Sequence, residues 1–150
     1  MVTYGAYLGT SACYLRWYPQ GQQAGDGEES GMPETSHLVL CVDDEHVGLQ
    51  VRRLLLERSG YKVITASNGA AGLQLFQKEP VEAVVLDYAM PGMHGGEVAM
   101  RMRAEKPDVP IVLLSAYVGL PADVTGVVDI YMTKGEGAPA LLDKLNSLFV

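Results

Sequence analysis

The sequence predicts an α/β fold, a parallel sheet of five strands wrapped by helices. Three observations carry this. From residue 37 onward, short apolar runs alternate with amphipathic segments, five times over. The apolar runs are nearly continuous, the pattern of strands covered on both faces. Four of the five runs end in polar residues of complementary chemistry. Right-handed crossovers between such strands leave few topologies.

Each element has its own signal. "HLVLCV" is a short apolar run, followed by "DDE". The helical pattern after it puts Val47, Val51, Leu54 and Leu55 on one face and leaves Arg52, Arg53 and Glu57 off it. Ser59-Gly60 closes that helix. "YKVIT" is the second strand and "NGAAGLQLFQKE" the second helix. "VEAVVLD" is the third strand and "GGEVAMRMRAE" the third helix. "VPIVLLS" is the fourth strand, and "LPADVTGV" supports only a short, weak helix. "VDIYMTK" is the fifth strand. "APALLDKLNSLFV" is a closing helix with Leu141, Leu145 and Leu148 on one side.

The bulk numbers exclude some functions. A chain of 150 residues holds one ordinary domain and a tail. A net charge of −7 argues against direct nucleic-acid binding, which needs a basic face. No apolar stretch reaches the length of a membrane span, and no basic-then-apolar leader opens the chain. A soluble, cytoplasmic protein is expected. Cys13 and Cys41 form no metal or disulfide spacing, and Cys41 sits inside an apolar run. A buried free thiol is expected there.

Residues 1–31 differ from the rest. The aromatic part, with Tyr4, Tyr7, Tyr14, Trp17 and Tyr18, shows no clear period. The Gly, Gln and acidic stretch after it cannot bury enough apolar surface to fold. A disordered extension over 1–36 and one folded domain over 37–150 are expected. Everything recognisable follows Met32, so Met32 is a second candidate start of translation. The mass of the native N-terminus tests it.

The strand ends hold the chemistry. The first strand ends in Asp43-Asp44, the third in Asp87, the fourth in Ser115 and the fifth in Lys134. In a parallel sheet these ends share one edge, and ligands bind there where strand order reverses. Three close carboxylates repel, and a divalent cation relieves the conflict. Oxygen ligands with room for water and phosphate suit Mg²⁺. A metal beside an aspartate predicts phosphoryl transfer, with a lysine and a hydroxyl holding the transferred group. Singly, each residue has a plainer reading. Asp44 alone would cap a helix, and a lysine at a strand end is usually solvated. Four complementary strand ends out of five favour the chemical reading.

With "VLCVDDE", "VVLDYAMPGM", "IVLLSA" and "YMTK" in this order, residues 37 to about 149 resemble the receiver domain of two-component response regulators. The resemblance implies a doubly wound, flavodoxin-like fold of strand order 2-1-3-4-5. It implies that Asp87 accepts phosphate from a histidine kinase or a histidine phosphotransfer protein. It implies that Asp43 and Asp44 hold Mg²⁺, with Asp44, Asp87 and the backbone carbonyl of Ala89 as direct ligands. Ser115 is then the switch hydroxyl, Lys134 the partner of the phosphoryl group, and Tyr131 the aromatic that turns inward. Such a protein catalyses only its own phosphorylation and dephosphorylation. The chain departs from the family at Gly135, where proline is usual, and in a short stretch between Ser115 and Lys134. Ala89 and Tyr117 stand where the family tunes loss of phosphate. His37, His46 and His94 lie in no phosphodonor context. Met90, Met93, Met100 and Met102 read as core and loop filler rather than a metal site.

The expected function is a single-domain response regulator that signals through an unknown output protein or a phosphorelay. The rivals are an interaction module that is never phosphorylated, the receiver of a longer regulator, and a hydrolase with an aspartyl-phosphate intermediate. The last would need a substrate cap, for which no segment is long enough.

Overall fold

The computed structural model describes residues 36–149, together with the backbone of 3–9 and 12–18. The chain divides into two units, Met1–Met32 and Pro33–Val150.

The first unit holds β1 (Thr3–Gly9) and β2 (Ala12–Tyr18), paired antiparallel from Thr3 opposite Tyr18 to Gly9 opposite Ala12. The extension expected over 1–36 includes these two paired segments. Their Tyr, Trp and Leu content favours strands. Adjacent antiparallel strands also need only a short connection. The Gly, Gln and acidic stretch lies outside the described residues.

The second unit follows the predicted alternation. Its elements are β3 (Leu38–Val42), α1 (His46–Arg58), β4 (Lys62–Ala66), α2 (Gly69–Lys78), β5 (Ala83–Asp87), α3 (Gly95–Glu105), β6 (Ile111–Ser115), α4 (Ala122–Thr125), β7 (Ile130–Thr133) and α5 (Ala138–Leu148). The five strands are parallel and lie in the order β4-β3-β5-β6-β7, which is 2-1-3-4-5 within the unit.

Alternate strand residues point to opposite faces and build two cores. Leu40, Val42, Val84, Leu86 and Leu113 pack with Phe76, Val98 and Met102 of α2 and α3. Val39, Cys41, Val85, Val112 and Leu114 pack with Leu49, Leu56, Leu141 and Leu145 of α1 and α5. Each large side chain so buried contributes about 1.5–3 kcal/mol. All of β5 is buried, so the strand that ends in Asp87 is a stiff post. Cys41 is a free buried thiol, and burial pushes its pKa up to about 12. Cys13 lies outside the residues whose side chains are described.

Helix α1 corrects one expectation. Its buried residues are Leu49 and Leu56, seven positions apart. Of the predicted face, Val47, Val51 and Leu54 are 69%, 59% and 58% exposed, and only Leu55 is half-buried. The helix carries apolar residues on two sides, and the sheet takes the other one. Helix α4 is a single short turn, as expected, and Val124 anchors it. Leu141 and Leu145 of α5 are buried, and Leu148 packs half-buried beside them. Met90 and Met102 are buried, whereas Met100 is exposed.

Candidate functional site

Sheet order sets the site. Strands β3 and β5 are neighbours at the reversal of strand order, so Asp43, just after β3, and Asp87, at the end of β5, meet at one edge. Oxygens of Asp43, Asp44 and Asp87 all lie within 4.8 Å of one another. Asp43 and Asp87 are buried, at 0% and 2% exposure, and Asp44 faces solvent. Ala89 is exposed in the loop two residues past Asp87. Asp44 is not the helix cap: Glu45 holds that position, and α1 has no side-chain cap.

Lys134 Nζ lies 3.0 Å from Asp87 Oδ1 and 3.6 Å from Asp43 Oδ2. Asp87 Oδ1 is buried without a hydrogen bond of normal geometry, so the lysine contact is an ion pair by distance. Burial raises the pKa of Asp87, the Lys134 ammonium opposes this, and the Asp43 charge adds to the rise; the result is about 6. Asp43 goes the other way. Burial pushes it up, but the Glu45 N–H and the charges of Lys134 and Arg52 outweigh burial and lower its pKa. For Lys134, burial acts downward, and the two carboxylates outweigh it and raise the pKa.

The group suits an oxygen-seeking divalent cation. The donors are all carboxylate oxygens, one of them a buried oxygen that lacks a hydrogen bond. Hard cations take such ligands, and one exposed acid leaves a side open to water.

Comparison with known proteins shows the family. The family model "Response regulator receiver domain" matches residues 39–145. The chain belongs to that family. The receiver is 38% identical over 104 residues to the probable transcriptional regulator ycf27 of Guillardia theta, covering 67% of this chain and 41% of that one. It is 39% identical over 99 residues to the alkaline phosphatase synthesis transcriptional regulatory protein PhoP of Bacillus subtilis, covering 64% of this chain and 41% of that one. The chain thus spans less than half the length of these two relatives. Among solved structures, the response regulator TrrA of Thermotoga maritima, in complex with Mg²⁺-BeF, superposes with a TM-score of 0.71 at 34% identity. That match covers 75% of this chain and 98% of TrrA. TrrA in complex with the histidine kinase ThkA matches with a TM-score of 0.70 at 34% identity, over 76% of this chain and 99% of that one.

The other residues that the resemblance singled out lie on β6, on β7 and in the turn after β7. Ser115 ends β6 and is 1% exposed. Its Oγ accepts the Tyr117 N–H at 3.0 Å. The Tyr131 hydroxyl donates to the Tyr117 carbonyl. Lys134 opens a 3₁₀ turn, Lys134–Glu136. Glu136 accepts the Thr133 N–H at 2.8 Å and pairs with Lys144 at 3.2 Å, so this turn is tied down despite Gly135. His94 caps α3: its Nδ1 accepts the Glu97 N–H at 3.3 Å. His37 pairs with Glu82 and stacks on Phe149 with ring centres 3.9 Å apart.

Two residues escaped the sequence reading. Arg52 was placed off the apolar face of α1 and given no role, yet its Nη1 reaches Asp43 Oδ2 at 3.2 Å with a side chain only 13% exposed. Arg52 lies six residues into α1, and no local pattern signalled its contact with the acid that precedes the helix. Gly95 read as a helix start. Its backbone lies so close to β5 that a Cβ would stand 2.3 Å from the Asp87 carbonyl oxygen.

Proposed function

We propose that this receiver takes a phosphoryl group on Asp87 and signals through the altered surface of β6, α4 and β7. The observation that carries the reading is the gathering of Asp43, Asp44, Asp87 and Lys134 at one sheet edge. A carboxylate oxygen of Asp87 attacks phosphorus and the P–N bond of a phosphohistidine breaks. The electron pair leaves with the imidazole nitrogen, which takes up a proton, and an acyl phosphate remains on Asp87. Asp44, Asp87 and the Ala89 carbonyl would hold Mg²⁺, with Asp43 behind them. The ion supplies charge neutralisation for the transferring group. Lys134 already sits against Asp87 and would follow the phosphoryl oxygens. Ser115 would exchange its bond from Tyr117 for one to phosphate, which frees the loop that Tyr131 holds.

The donor proposed is a histidine kinase or a histidine phosphotransfer protein, as the TrrA–ThkA pairing supports. Val47, Val51 and Leu54 stand exposed on the helix that begins two residues after Asp44, and we assign them to donor docking. Receptor of the signal is a further protein or the next member of a relay. No helix among the described residues is long and apolar enough to cross a membrane. A reducing cytoplasm would keep Cys41 as the free thiol it is.

The test is intact mass after incubation with acetyl phosphate and Mg²⁺. Wild type gains one phosphoryl group, and Asp87→Ala gains none while keeping its fold. A wild type that binds Mg²⁺ but stays unlabelled would instead favour an interaction module independent of phosphate.

A further inference from the structure

Both oxygens of Asp43 are claimed by the chain itself. Oδ1 accepts the Glu45 N–H at 2.9 Å. Oδ2 faces Arg52 Nη1 at 3.2 Å and Lys134 Nζ at 3.6 Å. Asp44 has no such enclosure and is exposed. The acidic pair is therefore unequal. One acid is spoken for, and its neighbour is open to an incoming ion.

We propose that Arg52 is a positioning residue for the Mg²⁺ site: it holds Asp43 out of the inner ligand set and weakens the site so that the ion exchanges readily. The inference rests on the Mg²⁺ reading above. The charge count supports it. Three carboxylates against Arg52 and Lys134 leave one net negative charge. Without Arg52 two remain, and the attraction for a divalent cation grows accordingly. The guanidinium is well suited to the post. Its nearly enclosed side chain leaves little water to screen the guanidinium charge. It also sits on α1, whose Leu49 and Leu56 fix the helix against the sheet.

Mg²⁺ affinity, read by calorimetry on the unphosphorylated protein, tests this. Arg52→Gln should bind Mg²⁺ roughly three- to tenfold more tightly than wild type. Arg52→Lys keeps the charge and should stay within about twofold of wild type. In an Asp43→Asn background the gain from Arg52→Gln should shrink, because the charge that Arg52 offsets is gone. Equal or weaker binding by Arg52→Gln would overturn the proposal. If Arg52→Gln does not fold, the side-chain ¹⁵N resonances of Arg52 in wild type decide. Resonances that stay in place through Mg²⁺ saturation support an arginine that keeps Asp43; a shift to the free-arginine position means that the ion displaces it and refutes the role. A wild type that binds no Mg²⁺ removes the metal site as well. A wild type that binds, with Arg52→Gln unchanged, removes only the role of Arg52.

Discussion

Ser115 and Tyr131 are joined through the backbone of one residue. Tyr117 gives its N–H to Ser115 Oγ, and its carbonyl accepts the Tyr131 hydroxyl. A pull on the serine at the end of β6 thus reaches the aromatic on β7 by two bonds. Both bonds run to a loop, 116–120, that carries the exposed Tyr117 and Val118.

Removing one of these bonds should loosen the loop without touching the acids. Tyr131→Phe loses the hydroxyl and should cost about 0.5–1.5 kcal/mol. Hydrogen exchange at the amides of 117–119 should quicken, and labelling by acetyl phosphate should persist. Unchanged exchange there would show that the Tyr131 bond does not restrain the loop.

Gly95 guards the backbone beneath Asp87. A Cβ there would meet the Asp87 carbonyl oxygen at 2.3 Å and Tyr88 Cα at 2.8 Å, and backbone cannot step aside cheaply. Gly95→Ala should destabilise the protein by about 3 kcal/mol, as overpacking does. Gly135 is the control. A Cβ there meets nothing within 4 Å, so Gly135→Ala should change stability by less than about 0.5 kcal/mol. Urea melts of the two variants separate the cases, and comparable midpoints would refute the contact.

Asp87 makes the metal-free protein sensitive to pH. Its folded pKa is raised to about 6, against roughly 4 for a free aspartate. Between those values the folded state holds more protons than the unfolded one, so this group's stability contribution falls as pH rises. Asp43 has a lowered pKa and acts in the opposite sense. Its contribution is present above roughly pH 4 and is lost as pH falls further. In EDTA, Asp87→Asn should therefore exceed wild type in stability at pH 7.5, by roughly 1–2 kcal/mol. The gap should close toward pH 5. A gap that widens on acidification would contradict the raised pKa.

The exposed stripe on α1 should matter to a protein donor and not to a small one. Val51→Asp places a charge among Val47, Val51 and Leu54 and leaves the buried Leu49 and Leu56 alone. Transfer from a phosphorylated histidine kinase should slow by roughly tenfold or more, as the loss of a well-packed interface residue does. Labelling by acetyl phosphate should match wild type. Equal slowing with both donors would place the effect in the site itself.

Much of this protein was legible in its sequence. Continuous apolar runs announced buried parallel strands, and polar residues at four of the five strand ends marked a candidate site. Asp43, Asp44, Asp87 and Lys134 do come together, because strand ends of a parallel sheet must share an edge. What failed was the choice between two apolar sides of α1. Periodicity found Val47, Val51 and Leu54, and the sheet buried Leu49 and Leu56. A helical period says which residues share a side, not which side a neighbour will cover. The aromatic segments 3–9 and 12–18 carried strand-forming residues without a readable alternation, and pairing one with the other decided their form.

The sequence by itself determined the fold class, the five strands of the parallel sheet and the acids at their ends, because these follow from patterns along the chain. Only the tertiary structure decided that Arg52 meets Asp43, that Gly95 lies against the Asp87 carbonyl and that Tyr117 links Ser115 to Tyr131. Such relations arise where a helix settles on a sheet at a particular rotation, and that rotation is set by packing two surfaces together, which no local pattern encodes.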